Sequence, residues 1–217
     1  MTDYRPPIRD IRFALSNLVD METLRTNGFP NADPELIEGA LDEAGRFIAE
    51  VVAPLAHNAD KIGSVRNADG SVTTPPGYRE AYRRFVEAGW PAITFPEEWG
   101  GGGLPFVIGM AVAEMLTSAD MAFSLCPMLT YAADELLLLQ GTEEQKATFL
   151  PHLVSGEWTG TMLLTEAQAG SDVGALTAKA IPAGDGTYRI VGSKIFVTWG
   201  EHDLTENIIH LVLARLP

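Results

Sequence analysis

The repeat of apolar residues changes its period once along this chain, at Gly156. Upstream, apolar side chains recur at three- and four-residue spacing, as in helices with one buried face. Downstream, the runs WTGTMLLT, TAKAIPA, TYRIVGSK, IFVT and IIHLVLAR are short and rich in β-branched and aromatic residues, as strands are. Helices followed by strands make an α+β chain, in which each kind of layer needs its own burial. Asp185-Gly186 lies between two of the runs and signals a hairpin, so antiparallel pairing is expected. The last run, 208–215, ends two residues before the C-terminus, and four or five short strands read as part of a barrel or sandwich that looks cut rather than finished. The expected organisation is an N-terminal extension at 1–33, a helical domain at 34–156 and a partial β domain at 157–217.

Several helix ends are marked by residue type. Asp33 followed by Pro34 is an N-cap with proline at the first helical position. It opens an amphipathic segment to about residue 58, in which Pro54 is expected to kink the helix or start a new turn. A short helix is expected at 7–18. Residues 61–74 read as a connection. Helical spacing resumes at 75–88, with Gly89 as its stop. WPAITFPEEWGGGGLP, with three prolines and four consecutive glycines, cannot be regular structure. Helices follow at about 105–118 and 121–139. Thr142 and Gln145 then form a capping-box pattern at the start of the last helix.

Charge and cysteine count exclude several partners. Lys and Arg number 15 against 29 Asp and Glu, a formal net charge of −14. Such a surface repels phosphate backbones, which argues against nucleic acid. The single cysteine, Cys126, builds no disulfide framework, and in its apolar run it reads as a buried small hydrophobe rather than a nucleophile. The N-terminus has no signal-peptide h-region, and no apolar run is read as reaching membrane-span length, so a reducing, cytoplasmic setting without membrane is the default expectation. His57, His152 and His210 are scattered without metal-ligand spacing, so no metal site is expected. His202 reads as an exposed loop histidine between Glu201 and Asp203. Glu97 and Glu98 read as capping or solvating the glycine loop.

Two segments can carry chemistry. TEAQAGSDV, residues 165–173, packs hydroxyls, carboxylates and a glycine directly after a strand. Gly170 permits close backbone approach or positive φ, and Ser171 and Asp172 can meet a ligand or cap their own backbone. These residues leave a ligand loop and a plain turn both open. GSKIFVTWG, residues 192–200, places Phe196 and Thr198 on one face if it is a strand. An aromatic and a hydroxyl so spaced can flank a flat heterocycle, although spacing alone favours simple sheet packing.

Taken together, LLTEAQAGSDVGALTAKAIPAGDGTYRIVGSKIFVT resembles the acyl-CoA dehydrogenase family, in which the same motifs follow in this order. FPEEWGGGGLP and LLQGTEEQKATFLPHLVSGEWTGTMLLTE are similar to that family's upstream segments, so the resemblance covers residues 34–215. YRPPIRDIRFALSNL and GEHDLTENIIHLVLARLP look most like the branch that includes 3-methylmercaptopropionyl-CoA dehydrogenases.

The resemblance implies an FAD-dependent enzyme that dehydrogenates an acyl-CoA thioester between its α and β carbons. Matching positions assign Met162, Leu164, Thr165, Gly170, Ser171, Phe196 and Thr198 to the flavin, and Ser171 also to the acyl-CoA. Thr165 and Thr198 would bond the isoalloxazine edge, while Gly170 and Ser171 would serve the pyrophosphate end. Phe196 stands where many members have tryptophan, and Ala167 where many have proline. The family's catalytic base is a glutamate in a C-terminal helical domain that does not lie within these residues, so no catalytic residue is assigned and Glu166 reads as a carboxylate holding the loop. Electron-transfer flavoprotein as acceptor and a homodimer or homotetramer are further implications. The competing reading is a flavin-binding or interaction fragment of the same fold without turnover.

Overall fold

A computed structural model describes residues 4–217. The order of elements is helices followed by small sheets, as expected. Helix α1 spans Ile8–Leu18 and α2 spans Met21–Thr26. The second was not expected; Asp20 caps it by accepting from the amide of Thr23. Helix α3, Pro34–Phe47, begins where Asp33 accepts from the amides of Glu35 and Leu36. A π-helical turn, Ile48–Val52, leads into α4, Ala53–Ile62. Pro54 stands in the first turn of α4 and has no N–H to donate back. The wider turn before it absorbs that loss, and the amide of Ala53 bonds the carbonyl of Ile48.

The segment at 61–74 is more than a connection. It holds a small antiparallel hairpin, β1 at Val65–Arg66 and β2 at Val72–Thr73. Helix α5 is Tyr78–Glu87. Two 3₁₀ turns, Trp90–Ala92 and Glu97–Trp99, follow it. The glycine run then folds back on them: the amides of Gly102, Gly103 and Leu104 bond the carbonyls of Ala92, Phe95 and Ile93. A Cβ at Gly101 would lie 2.0 Å from the carbonyl oxygen of Phe95, so the two backbones touch only because no side chain intervenes. Glu97 bonds the Asn31 amide, so it braces the loop rather than facing a ligand.

Helices α6, Phe106–Ala119, α7, Met121–Gln140, and α8, Glu143–Val154, complete the helical layer. The capping box at Thr142 and Gln145 is formed. One apolar cluster joins α1, α3, α4, α5, α6 and the start of α7, with Leu41, Ile48, Tyr78, Ile108, Met115 and Phe123 at its centre. A second places Phe95, Leu137, Leu150, Leu153 and Val154 under α7 and α8. Each such side chain contributes about 1.5–3 kcal/mol by leaving water. Cys126 is buried in α7 at 1% exposure, and burial pushes its thiol far above the usual range, as befits a core residue. One expectation is corrected at α7. Its 20 residues, which include an 18-residue window of mean hydropathy 1.3, are long and apolar enough to cross a membrane by length and composition. The apolarity has a use inside this fold, because α7 is the helix against which α6, α8 and β3 pack.

The β part is smaller and differently paired than expected. Strand β3, Thr159–Leu163, runs parallel to β6, Ile208–Val212, with Thr161 opposite His210. Strands β4, Lys179–Pro182, and β5, Tyr188–Val191, make the antiparallel hairpin signalled by Asp185-Gly186. IFVT forms no strand. Phe196 and Trp199 stand at φ +56° and +53°, outside the extended region, so period-two alternation does not apply to them. Strand β3 is keyed to the helical layer at Gly160. Its amide donates to the Thr130 hydroxyl of α7, and a Cβ there would lie 2.6 Å from Ala133.

Candidate functional site

The loop that follows β3 is organised around a buried carboxylate. Glu166 is 3% exposed. Its Oε1 accepts from Lys194 Nζ at 2.8 Å and the Ala178 amide at 3.0 Å. Its Oε2 accepts from the Thr177 amide at 2.7 Å, the Thr177 hydroxyl at 2.8 Å and Gln168 Nε2 at 2.6 Å. Glu166 and Ala169 also exchange both backbone bonds at 3.0 Å, closing a tight turn. The Lys194 ammonium above all, then the Thr177 and Ala178 amides and the Thr177 hydroxyl, hold the carboxyl far below the usual carboxylate range. Glu166 therefore shapes the loop, as the sequence suggested.

This hub leaves other groups free to face outward. Lys194 also donates to the carbonyl of Leu164 at 3.0 Å, and the amide of Ile195 donates to the carbonyl of Thr165 at 2.9 Å. These bonds join the 164–178 loop to the 194–198 segment, so the two motifs met separately in the sequence form one surface. Met162 is half-buried on β3 opposite Leu211, and Leu164 is exposed. Thr165 is half-buried, while Gly170, Ser171 and Thr198 are exposed. The Thr198 carbonyl accepts from the Thr161 hydroxyl at 2.7 Å. Asp172 starts the 3₁₀ turn Val173–Ala175 through its backbone.

One position differs from the sequence reading and another is narrowed. Gly170 does not sit at positive φ, which leaves close backbone approach of the two uses the sequence offered, and a Cβ there would meet nothing within 4 Å. The chain itself does not demand glycine, so any demand comes from something that approaches from outside. Phe196 is 87% exposed rather than packed on a sheet, and its φ of +56° is strained. Such a backbone costs about 1–3 kcal/mol per residue and persists only where its surroundings enforce it.

His202 is also corrected. It is 5% exposed, with Nε2 at 2.9 Å from the Thr159 hydroxyl and Nδ1 accepting from the Leu204 amide at 3.2 Å. An acceptor at Nδ1 places the proton on Nε2, so the ring is neutral. Burial pushes its pKa down to about 4. Sequence reasoning left it in solvent because Thr159, its partner at Nε2, lies on a distant segment, β3. The residue that sequence reasoning missed is Trp199, which reaches across to the helical layer with its indole N–H at 3.0 Å from the Ala122 carbonyl.

An outward-facing ring, hydroxyls at 165, 171 and 198, and open space over Gly170 suit a flat, hydrogen-bonding heterocycle such as a flavin ring. No group of metal-ligating side chains exists among the described residues.

Comparison with known proteins accords with this geometry. Residues 37–157 match the family model of the acyl-CoA dehydrogenase N-terminal domain. A 3-methylmercaptopropionyl-CoA dehydrogenase of Ruegeria pomeroyi is 48% identical over 217 residues, covering 99% of this chain and 36% of that protein. A butyryl-CoA dehydrogenase of Syntrophomonas wolfei is 36% identical over 222 residues, with the same two coverages. The chain thus spans about a third of the length of these curated relatives. A crystal structure of an acyl-CoA dehydrogenase complexed with FAD from Bacillus anthracis aligns with a TM-score of 0.68 at 25% identity, over 86% of this chain and 30% of that one. By this match over more than half its length, the chain belongs to the acyl-CoA dehydrogenase family, and its similarity to a 3-methylmercaptopropionyl-CoA dehydrogenase supports that branch.

Proposed function

We propose that this chain forms the flavin-facing part of an FAD-dependent acyl-CoA dehydrogenase. The observation that carries this reading is Phe196, an aromatic ring 87% exposed and held at strained φ on a segment fastened to the Glu166 loop. Bound FAD supplies the acceptor for a hydride from the substrate β-carbon. Phe196 offers a stacking face, Thr165 and Thr198 offer hydroxyls to the ring edge, and Met162 and Leu164 offer apolar contact. Gly170 and Ser171 serve the pyrophosphate end, and Ser171 also the acyl-CoA. Glu166 is unsuited to take the substrate's α-proton, because its carboxylate is already bonded to Lys194, Gln168, Thr177 and the Ala178 amide. The base is proposed to lie outside these 217 residues.

A cavity of about 260 Å³ between α6 and α7 suits a short apolar acyl group. Phe106, Met110, Met128 and Tyr131 line it, and methionine sulfurs adapt well to irregular ligands. The 48% identical relative makes 3-methylmercaptopropionyl-CoA the first substrate to test, with butyryl-CoA beside it. Electron-transfer flavoprotein as electron acceptor, a cytoplasmic setting and a homodimer or homotetramer complete the proposal.

The test is reconstitution of the full-length protein with FAD, followed by anaerobic addition of each thioester. Bleaching of the visible flavin band is expected with at least one of them. Flavin uptake with no bleaching by any acyl-CoA would favour a binding fragment without turnover. Protein that stays colourless and takes up no FAD overturns the reading.

A further inference from the structure

Trp199 connects two layers that otherwise meet mainly through β3. Its indole N–H donates to the carbonyl of Ala122 in the first turn of α7. Its ring stacks on Tyr78 of α5, with centroids 6.3 Å apart and planes at 22°. Its other side meets His202 edge-on at 5.3 Å. The partners are themselves fixed. The Tyr78 hydroxyl donates to Asp120 at 2.7 Å, and Asp120 caps α7 through the Phe123 amide at 3.0 Å. His202 is bonded to Thr159 on β3.

The segment before Trp199 is tied at its other end to the Glu166 hub by Lys194 and Ile195. Between the two ties stands Phe196, almost wholly in solvent. The bonds that restrain the segment lie on either side of Phe196: Lys194 and Ile195 before it, and after it the Thr198 carbonyl, which accepts from the Thr161 hydroxyl at 2.7 Å, and the Trp199 indole. We infer that Trp199 is a positioning residue for the flavin site, fastening residues 194–198 to the N-terminus of α7 and thereby fixing the face that Phe196 presents. This rests on the flavin reading above; the fastening itself does not.

The experiment has two arms, each run on the wild-type protein, Trp199→Ala and Trp199→Phe. The first is amide hydrogen exchange without FAD, read at Ile195, whose amide bonds the Thr165 carbonyl, and, as a control, along α8. Trp199→Ala is expected to speed exchange at Ile195 by about tenfold or more while α8 stays unchanged. Trp199→Phe keeps a ring against Tyr78 but loses the N–H donor, so an intermediate value is expected. The second arm is FAD titration with visible circular dichroism of the bound flavin. Trp199→Ala is expected to weaken binding by about tenfold and to alter the dichroic band at saturation. Wild-type exchange at Ile195 in Trp199→Ala overturns the proposal. So does uniform acceleration that includes α8 in Trp199→Ala with wild-type behaviour in Trp199→Phe, because that marks a mere core residue. If the wild-type protein takes up no FAD, the proposed function falls, and the exchange arm alone decides the fastening.

Discussion

Lys194 and Glu166 meet at 2.8 Å although 28 positions separate them in the chain, and both side chains are nearly closed off from water, at 7% and 3%. A buried pair of this kind is hard to break one partner at a time, because the survivor keeps its charge and loses its counter-charge. Lys194→Met is therefore expected to lower Tm by roughly 5 °C or more. The double variant Lys194→Met with Glu166→Gln removes the orphaned charge and is expected to recover part of that loss. Thermal melts of the two variants at neutral pH check this. Equal losses would show that the carboxylate does not depend on the lysine.

His202 governs the acid side of stability. Its pKa in the fold is pushed down to about 4, against an ordinary value of 6.5. The unfolded chain therefore binds the proton first. The contribution of His202 is fully present above pH 6.5 and is lost as pH falls toward 4. Over that window the loss amounts to roughly 3 kcal/mol. Urea unfolding of the wild type and His202→Gln across this range is expected to give a flatter acid limb for the variant.

Asp134 acts at the other end. It is 4% exposed in α7, and its Oδ1 has no hydrogen-bond partner among the described residues. Burial, reinforced by the neighbouring Glu135 carboxylate, pushes its pKa up to about 8. Here the unfolded chain releases the proton first, so stability declines as pH rises from the ordinary carboxylate value of 3.8 to about 8. Asp134→Asn keeps the shape and removes the ionisation. At pH 8 it is expected to be more stable than the wild type by about 1 kcal/mol or more, with the advantage shrinking toward pH 5. Denaturant midpoints at the two pH values check this.

Gly170 and Phe196 separate folding from binding. A methyl at 170 meets nothing within the chain, so Gly170→Ala is expected to leave stability within about 0.5 kcal/mol. If flavin passes close to that backbone, the same methyl weakens FAD binding by about tenfold or more. Phe196→Ala is expected to leave Tm near the wild-type value, because the ring is 87% exposed. It should weaken FAD by roughly three- to tenfold, the worth of one stacked pair. Flavin titration beside thermal melts tests both. Unchanged affinity in both variants would remove the flavin from this face.

Local chemistry was legible in the sequence and distant pairing was not. Asp33 before Pro34 and the Thr142–Gln145 box act within one turn, so residue type was enough to place both helix starts. The parallel pairing of β3 with β6 depends on contacts such as Thr159 opposite Ile208, which no turn residue announces. His202 was missed for the same reason: its partner Thr159 comes from β3, 43 positions away. At the site, the residue types of the 165–173 loop left a turn and a ligand loop both open; the family resemblance made Glu166 a carboxylate that holds the loop, and its bonds to Lys194, Thr177 and Ala178 do hold it. The strand pattern of IFVT misled. Its β-branched residues suit an extended ribbon, whereas the anchors at Lys194 and Trp199 force positive φ at Phe196.

Four consecutive glycines ordinarily signal slack, a place where two parts of a chain move independently. In this protein the run is pressed against residues 92–95, with Gly101 leaving no room for even one methyl beside the carbonyl of Phe95. The usual stabilising exchange of glycine for alanine would here act as a wedge, prising α6 from the turn that follows α5. What is written like a hinge is a weld, and motion between those helices must be sought elsewhere in the chain.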